Sequence, residues 1–223
     1  MSTTTQQIGV IDYHMGNLRS VSKALEHVAG DGTNVIVTND ADTISNADRV
    51  VFPGQGAARD CMAEINHLKL ADCIREVIKT RPFLGICMGL QVLLDGSDES
   101  PQNPCLGVIK GRVRRFPNGT DEHGKALTIP QMGWNQVHQR IAHPLWHGIA
   151  DNDRFYFMNS FHVAPDDQGV VAATTPYGIE FVSAVARGSM FAVQFHPEKS
   201  QRAGLQTLRN FVSWDGAAYA QRC

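Results

Sequence analysis

Short apolar runs separated by amphipathic stretches fill the first half of the chain. The runs at 8–12, 34–38, 48–52 and 82–86 are too short for buried helices. They have the near-continuous apolar character of parallel strands covered on both faces. Between the first two, Leu18, Val21, Leu25 and Val28 recur at helical spacing, and Asn17 stands where an N-cap belongs. Helical patterns follow at 57–65 and 70–79, and a further helix is expected at 88–94. Strand–helix alternation of this kind predicts an α/β fold built on a doubly wound, mostly parallel sheet with flanking helices.

The pattern changes after residue 106. Strand-like runs at 107–113, 127–131, 135–138, 155–159, 170–175, 181–186 and 190–194 are punctuated by Gly, Asn, Asp and Pro. They predict an antiparallel layer added to the same sheet, so that residues 1–223 make one domain. A last helix is expected at 201–214, and 96–104 and 117–124 read as mobile loops.

Composition narrows the function classes. The formal charge of the 223 residues is −2, without the basic stripe that nucleic acid would require. No apolar run reaches the ~18 residues of a membrane span, and the polar start, 1–7, lacks the apolar core of a signal. Five cysteines, an odd number at no metal-like spacing, fit reduced thiols in a cytoplasm. Four of them, Cys61, Cys73, Cys105 and Cys223, read as packing or surface residues.

The fifth cysteine has a distinctive setting. The fourth apolar run continues as Gly85-Ile86-Cys87-Met88-Gly89-Leu90-Gln91. This is a strand-to-helix elbow with Cys where hydrolases carry Ser. Small residues on either side let the turn hold its nucleophile in strained backbone. A thiol there faces free helical N–H groups, which favours the thiolate, and the Met88 N–H can donate to an oxyanion beside the sulfur. Alone, the pattern also fits a buried cysteine after a core strand. Near the other end, a strand runs into His196, Pro197 stops it, and Glu198 lies close enough to accept from the imidazole. A nucleophile, a base and an orienter are what acyl chemistry needs. In a parallel sheet the loops 12–17 and 53–56 and Cys87 all leave carboxyl ends of strands, so they should cluster.

These stretches resemble the triad-type (class I) glutamine amidotransferases. More narrowly they resemble the glutaminase subunits of imidazole glycerol phosphate synthase. Asp12-Tyr13-His14-Met15-Gly16-Asn17-Leu18, Pro53-Gly54-Gln55-Gly56, Gln131-Met132-Gly133-Trp134-Asn135 and His196-Pro197-Glu198-Lys199-Ser200 carry the narrower likeness. The resemblance implies a Cys87–His196–Glu198 triad acting on L-glutamine. It implies an oxyanion site from Met88 and the Gly54-Gln55-Gly56 loop, and substrate contacts from Gln91, Ser160 and Phe161. It implies a (β/α)8-barrel cyclase as heterodimer partner, met by Asn17, Trp134, Asn135 and Lys199, and no cofactor. Two positions depart from the family pattern: His14 stands where Gly is expected, and Asn159 where His is expected.

Other signals are weaker. His143 and His147 are four apart but have no third metal ligand. His162 lacks an orienter at the His196 spacing. Trp134, Trp146 and 155–157 read as packing or interface rather than an aromatic cage. The competing functions are a paralogous glutaminase feeding a surface-sugar amidotransferase, a stand-alone cysteine hydrolase, and a catalytically silent binding subunit.

Overall fold

The computed structural model describes residues 5–217, apart from 121–123 and 125. Cys223 and part of the expected 117–124 loop therefore lie outside the described residues. The first half alternates as expected: β1 (Gln6–Ile11), α1 (Leu18–Ala29), β2 (Thr33–Thr38), α2 (Ala41–Asn46), β3 (Arg49–Gly54), α3 (Ala58–His67), α4 (Ala71–Thr80), β4 (Phe83–Cys87) and α5 (Met88–Gln91). The second half adds β5 (Gly96–Ser97), β6 (Gly111–Arg115), β7 (Gln131–Gln136), β8 (His138–Gln139), β9 (Arg154–Asn159), β10 (Phe161–Pro165), β11 (Val171–Pro176), β12 (Glu180–Arg187), β13 (Met190–Val193) and α6 (Gln201–Ser213).

The main sheet runs β2-β1-β3-β4-β13-β12-β10-β6-β5, with β11 and β8 attached beyond β12. Its first five strands are parallel, and β12, β10 and β6 continue it antiparallel. The last strand of the chain thus inserts beside β4, which brings 196 next to 87. Alternate side chains of each strand serve opposite cores. Val50 and Phe52 of β3 join α2, α3 and α4 on one face. Val51, Leu84 and Ile86 join α1 and α6 on the other.

Several expectations need correction. The added strands do not all join one sheet, because β7 and β9 pair as a separate ribbon. The runs at 127–131 and 135–138 are replaced by the single strand β7, whose register passes unbroken through Gly133 at φ 140°. The helix expected at 88–94 ends after one turn. The carbonyls of Val92, Leu93 and Leu94 instead accept N–H groups of the 106–109 segment. That segment is therefore not the start of a strand, and β6 begins only at Gly111. Helix α2 was not anticipated from its polar composition, although Asp40 caps it through Thr43 N at 2.8 Å. The 96–104 segment is tied down: Gly96 and Ser97 pair with β6, and Glu99 accepts from Ala58 N at 2.7 Å. Among the described residues no helix is long and apolar enough to cross a membrane.

Candidate active site

Cys87 closes β4 and caps α5 with φ 55° and ψ −108°, a conformation L-residues avoid. The surrounding packing enforces it. A Cβ on Gly89 would overlap the Phe52 carbonyl oxygen, and one on Gly85 would sit 2.9 Å from the Ala192 methyl and the Gly89 carbonyl. The flanking glycines therefore serve close approach to β3 and β13, while the strain itself falls on the cysteine. Met88, the first residue of α5, has an N–H with no intrahelical partner.

His196 follows β13 and is 2% exposed. Its Nδ1 pairs with Glu198 Oε1 at 2.9 Å, and the carboxylate is equally buried. The backbone around it is clamped: His196 N donates to Tyr156 O at 2.9 Å, and Ser200 Oγ donates to His196 O at 2.6 Å. Burial works against a charged ring here. Hydrogen bonding and charge from Cys87 and Glu198 outweigh it and push the imidazole up to about 10. Nε2 makes no hydrogen bond of ordinary geometry. It is the ring nitrogen not committed to Glu198.

Residues from five separated segments line one pocket: Gln55 and Gly56; Cys87, Met88 and Gln91; Glu99; Pro130; and Met158, Asn159, Ser160 and Phe161. His196 and Glu198 do not line it. Gly54 lies just beneath, paired with Cys87 across β3 and β4, where a Cβ would strike the Tyr13 hydroxyl. Gln55 O accepts the Cys61 thiol at 3.4 Å. Burial pushes that thiol up to about 12, so it stays a donor. In a trans peptide N–H and C=O point oppositely, so this bond turns the Gly56 N–H away from the core.

Gln91 donates through Nε2 to Phe161 O at 3.3 Å and to Gln194 Oε1 at 2.9 Å. Four pocket residues, Glu99, Pro130, Met158 and Asn159, were not singled out as ligand contacts from sequence. Asn159 Nδ2 donates to Phe161 O at 3.0 Å, so the departure from His falls inside the site. His14 is accommodated in left-handed backbone, φ 62°, by an Asx-type bond from its N–H to Asp12 Oδ1 at 2.8 Å.

The four expected interface residues lie apart from the pocket. Trp134, 40% exposed, packs edge-on against Tyr156, and Lys199 Nζ stands 6.0 Å from the centre of the same ring. Among the described residues Lys199 has no carboxylate partner. Asn135 is committed internally, donating to Pro176 O at 2.7 Å. Asn17 caps α1 by accepting from Ser20 N at 3.3 Å, and α1 packs beside the turn that carries Lys199. The histidines set aside are packing residues or surface: His143 lies between Phe191 and Trp214, His162 against Phe116, and His147 is exposed.

A buried acid–imidazole pair behind a strained elbow thiol, beside a pocket of mixed polar and apolar lining, can carry out acyl transfer. The family model described as glutamine amidotransferase class-I matches residues 9–214. The chain belongs to the class-I glutamine amidotransferases. It is 54% identical to the imidazole glycerol phosphate synthase subunit HisH of Thiobacillus denitrificans over 97% of this chain and 95% of that one. It is 55% identical to the subunit of that name from Pseudomonas putida, over 95% and 99%. Likeness of this extent places the amidotransferase among the HisH subunits, and it is an enzyme of that type. The fold is shared more widely. The structure of PurLQS from Thermotoga maritima matches with a TM-score of 0.67 at 17% identity, covering 94% of this chain and 98% of that one. The Trypanosoma brucei CTPS glutaminase domain matches at 0.63 and 16%, covering 98% and 97%.

Proposed function

We propose that this chain, acting over 1–223 as one amidotransferase domain, hydrolyses L-glutamine and hands the ammonia to a (β/α)8-barrel cyclase. That partner would use it to form imidazole glycerol phosphate and an aminoimidazole carboxamide ribotide in histidine biosynthesis. The observation that carries the reading is the buried His196–Glu198 pair at 2.9 Å, with Nε2 uncommitted beside the elbow cysteine.

The proposed steps use the residues of this site. The Cys87 thiolate adds to the side-chain amide carbon of glutamine. The tetrahedral oxyanion takes the Met88 N–H and a backbone N–H of the Gly54-Gln55-Gly56 loop. His196, which holds its proton at neutral pH, gives it to the departing nitrogen, and ammonia leaves a glutamyl thioester. Water then adds to the thioester while His196 takes a proton from it, and glutamate leaves with the thiolate restored. Glu198 keeps Nδ1 protonated throughout. The Gln91 oxygen, the Glu99 carboxylate and the backbone of Ser160 and Phe161 offer a polar rim to the amino-acid end of the substrate. Trp134, Asn135, Lys199 and Asn17 would meet the barrel, with Trp134 as anchor and Lys199 paired to one of its carboxylates.

The test is co-purification with the histidine-pathway cyclase, followed by glutamine-dependent turnover. The parent should turn over slowly alone and faster with the cyclase and its ligand, and Cys87→Ala should be silent in both states. Equal, high turnover with and without the cyclase would favour a stand-alone hydrolase.

A further inference from the structure

Gln194 is wholly buried two residues before His196, just past the end of β13. It is a polar side chain in an otherwise aromatic and aliphatic stretch, and the steps above do not use it. Its backbone is fixed by the sheet, Gln194 N donating to Ser183 O at 2.9 Å. Its side chain reaches the nucleophile: Nε2 donates to Cys87 Sγ at 3.6 Å.

The direction of this bond is set from a distance. Phe161 O is a backbone carbonyl and can only accept, so the atom of Gln91 facing it must be the amide nitrogen. That same nitrogen faces Gln194, so Gln194 must present its oxygen there, at 2.9 Å. Its own nitrogen is then left for the sulfur. Two donations thus run from the Gln91 NH2 through Gln194 to the sulfur, while the same NH2 is anchored by donating the other way to the Phe161 carbonyl, with no ambiguity of amide orientation. Both N–H groups of Gln91 are used inside the protein, and its oxygen is the atom that remains for the pocket.

We infer that Gln194 is a positioning residue for the nucleophile: its amide, orientated by Gln91 and Phe161, donates to the Cys87 sulfur, favouring the thiolate and fixing its aim. A donor bonded to the charged form of a group stabilises that form, and burial removes the water that would otherwise substitute for it. The same amide holds Gln91, so its loss should disturb glutamine binding as well as sulfur reactivity. This rests on the reading of Cys87 as the nucleophile.

The experiment compares Gln194→Met and Gln194→Glu with the parent, full-length in each case. Alkylation of Cys87 by iodoacetamide is followed against pH by mass spectrometry of the peptide carrying that residue. Glutamine turnover in the complex is measured alongside. Gln194→Met removes the donor at similar volume. Labelling at pH 7 should slow about tenfold, the size expected for one hydrogen bond to a charged group, taken at the low end for sulfur. The kcat should fall with it, and the KM for glutamine should rise as Gln91 loses its anchor. If the Met variant does not fold, Gln194→Glu reads the same bond. An ionised carboxylate cannot donate to sulfur, so labelling at pH 7 should fall at least as far. A folded variant whose labelling profile overlays the parent's overturns the inference, even if turnover drops. If the parent's Cys87 itself labels no faster at pH 7 than a free thiol, the reading of Cys87 as nucleophile fails instead.

Discussion

Replacing Glu198 by Gln probes the carboxylate proposed to orient the imidazole. The substitution keeps the volume and removes one charge. In the parent, Oε1 takes the Nδ1 proton at 2.9 Å and Oε2 makes no hydrogen bond. Glutamine at 198 must therefore choose. With its oxygen on Nδ1, its NH2 occupies the place of Oε2, buried without an acceptor. With its NH2 on Nδ1, the ring must carry its proton on Nε2 and face the sulfur as the wrong tautomer. The first choice costs a charge-assisted bond, ~1.5–3 kcal/mol, plus an unsatisfied donor, ~1–3 kcal/mol. Together this amounts to a loss of about 10²- to 10⁴-fold in kcat/KM. The KM for glutamine should stay near the parent's, because residue 198 does not line the pocket. An NMR titration of the His196 ring gives an independent reading: its midpoint, about 10 in the parent, should fall. A folded variant with kcat/KM within about threefold of the parent would refute the account of an orienting charge.

Three further outcomes follow. Gly89→Ala pushes a methyl into the Phe52 carbonyl, with the Phe52 carbon 2.9 Å away, and backbone cannot yield locally. It should lower stability by ~1–3 kcal/mol and turnover about 10²-fold, read by thermal melts and steady-state assay. His143 is held down to about 4 by burial, below its ordinary 6.5. The unfolded chain takes up that proton first as pH falls, so stability is full above 6.5 and is lost between 6.5 and about 4. Denaturant titrations should show this loss to be up to ~3 kcal/mol smaller in His143→Gln. Trp134→Ala, at a 40% exposed anchor, should weaken cyclase binding by ~2 kcal/mol without moving the melting temperature, measured by titration calorimetry.

The parallel half of the fold was legible because β3 and β4 are buried on both faces and its longer helices carry a clear stripe; β2, at the sheet edge, is only partly buried. Expected and observed ends of α3 and α4 differ by one or two residues. What was missed had its cause outside the local pattern. Residues 161–165 mix one phenylalanine, one histidine and a closing proline without a clear strand pattern, and they become β10 only because β6 and β12 supply partners. Gly133 looked like a break, yet β9 holds the register through it. In the site, Cys87, His196 and Glu198 were readable because each carries its own local signature: an elbow, a strand end, a proline turn. Gln194 has none. As the polar end of an apolar strand it resembles any other strand terminus, and only the insertion of β13 beside β4 places its amide against a sulfur 107 positions away. Glu99 is similar, a loop carboxylate until Ala58 N and the pocket give it a place.

The Tyr13 hydroxyl fills the space that any side chain at 54 would need, while Met15 lies 2.8 Å from where a Cβ on Gly56 would sit and the Gly54 backbone 3.3 Å from one on Gly16. The first and third loops of the sheet edge are therefore a single mechanical part. Neither can drift in sequence without the other, and re-engineering the pocket must treat positions 13 and 54, or 15 and 56, as one choice made together.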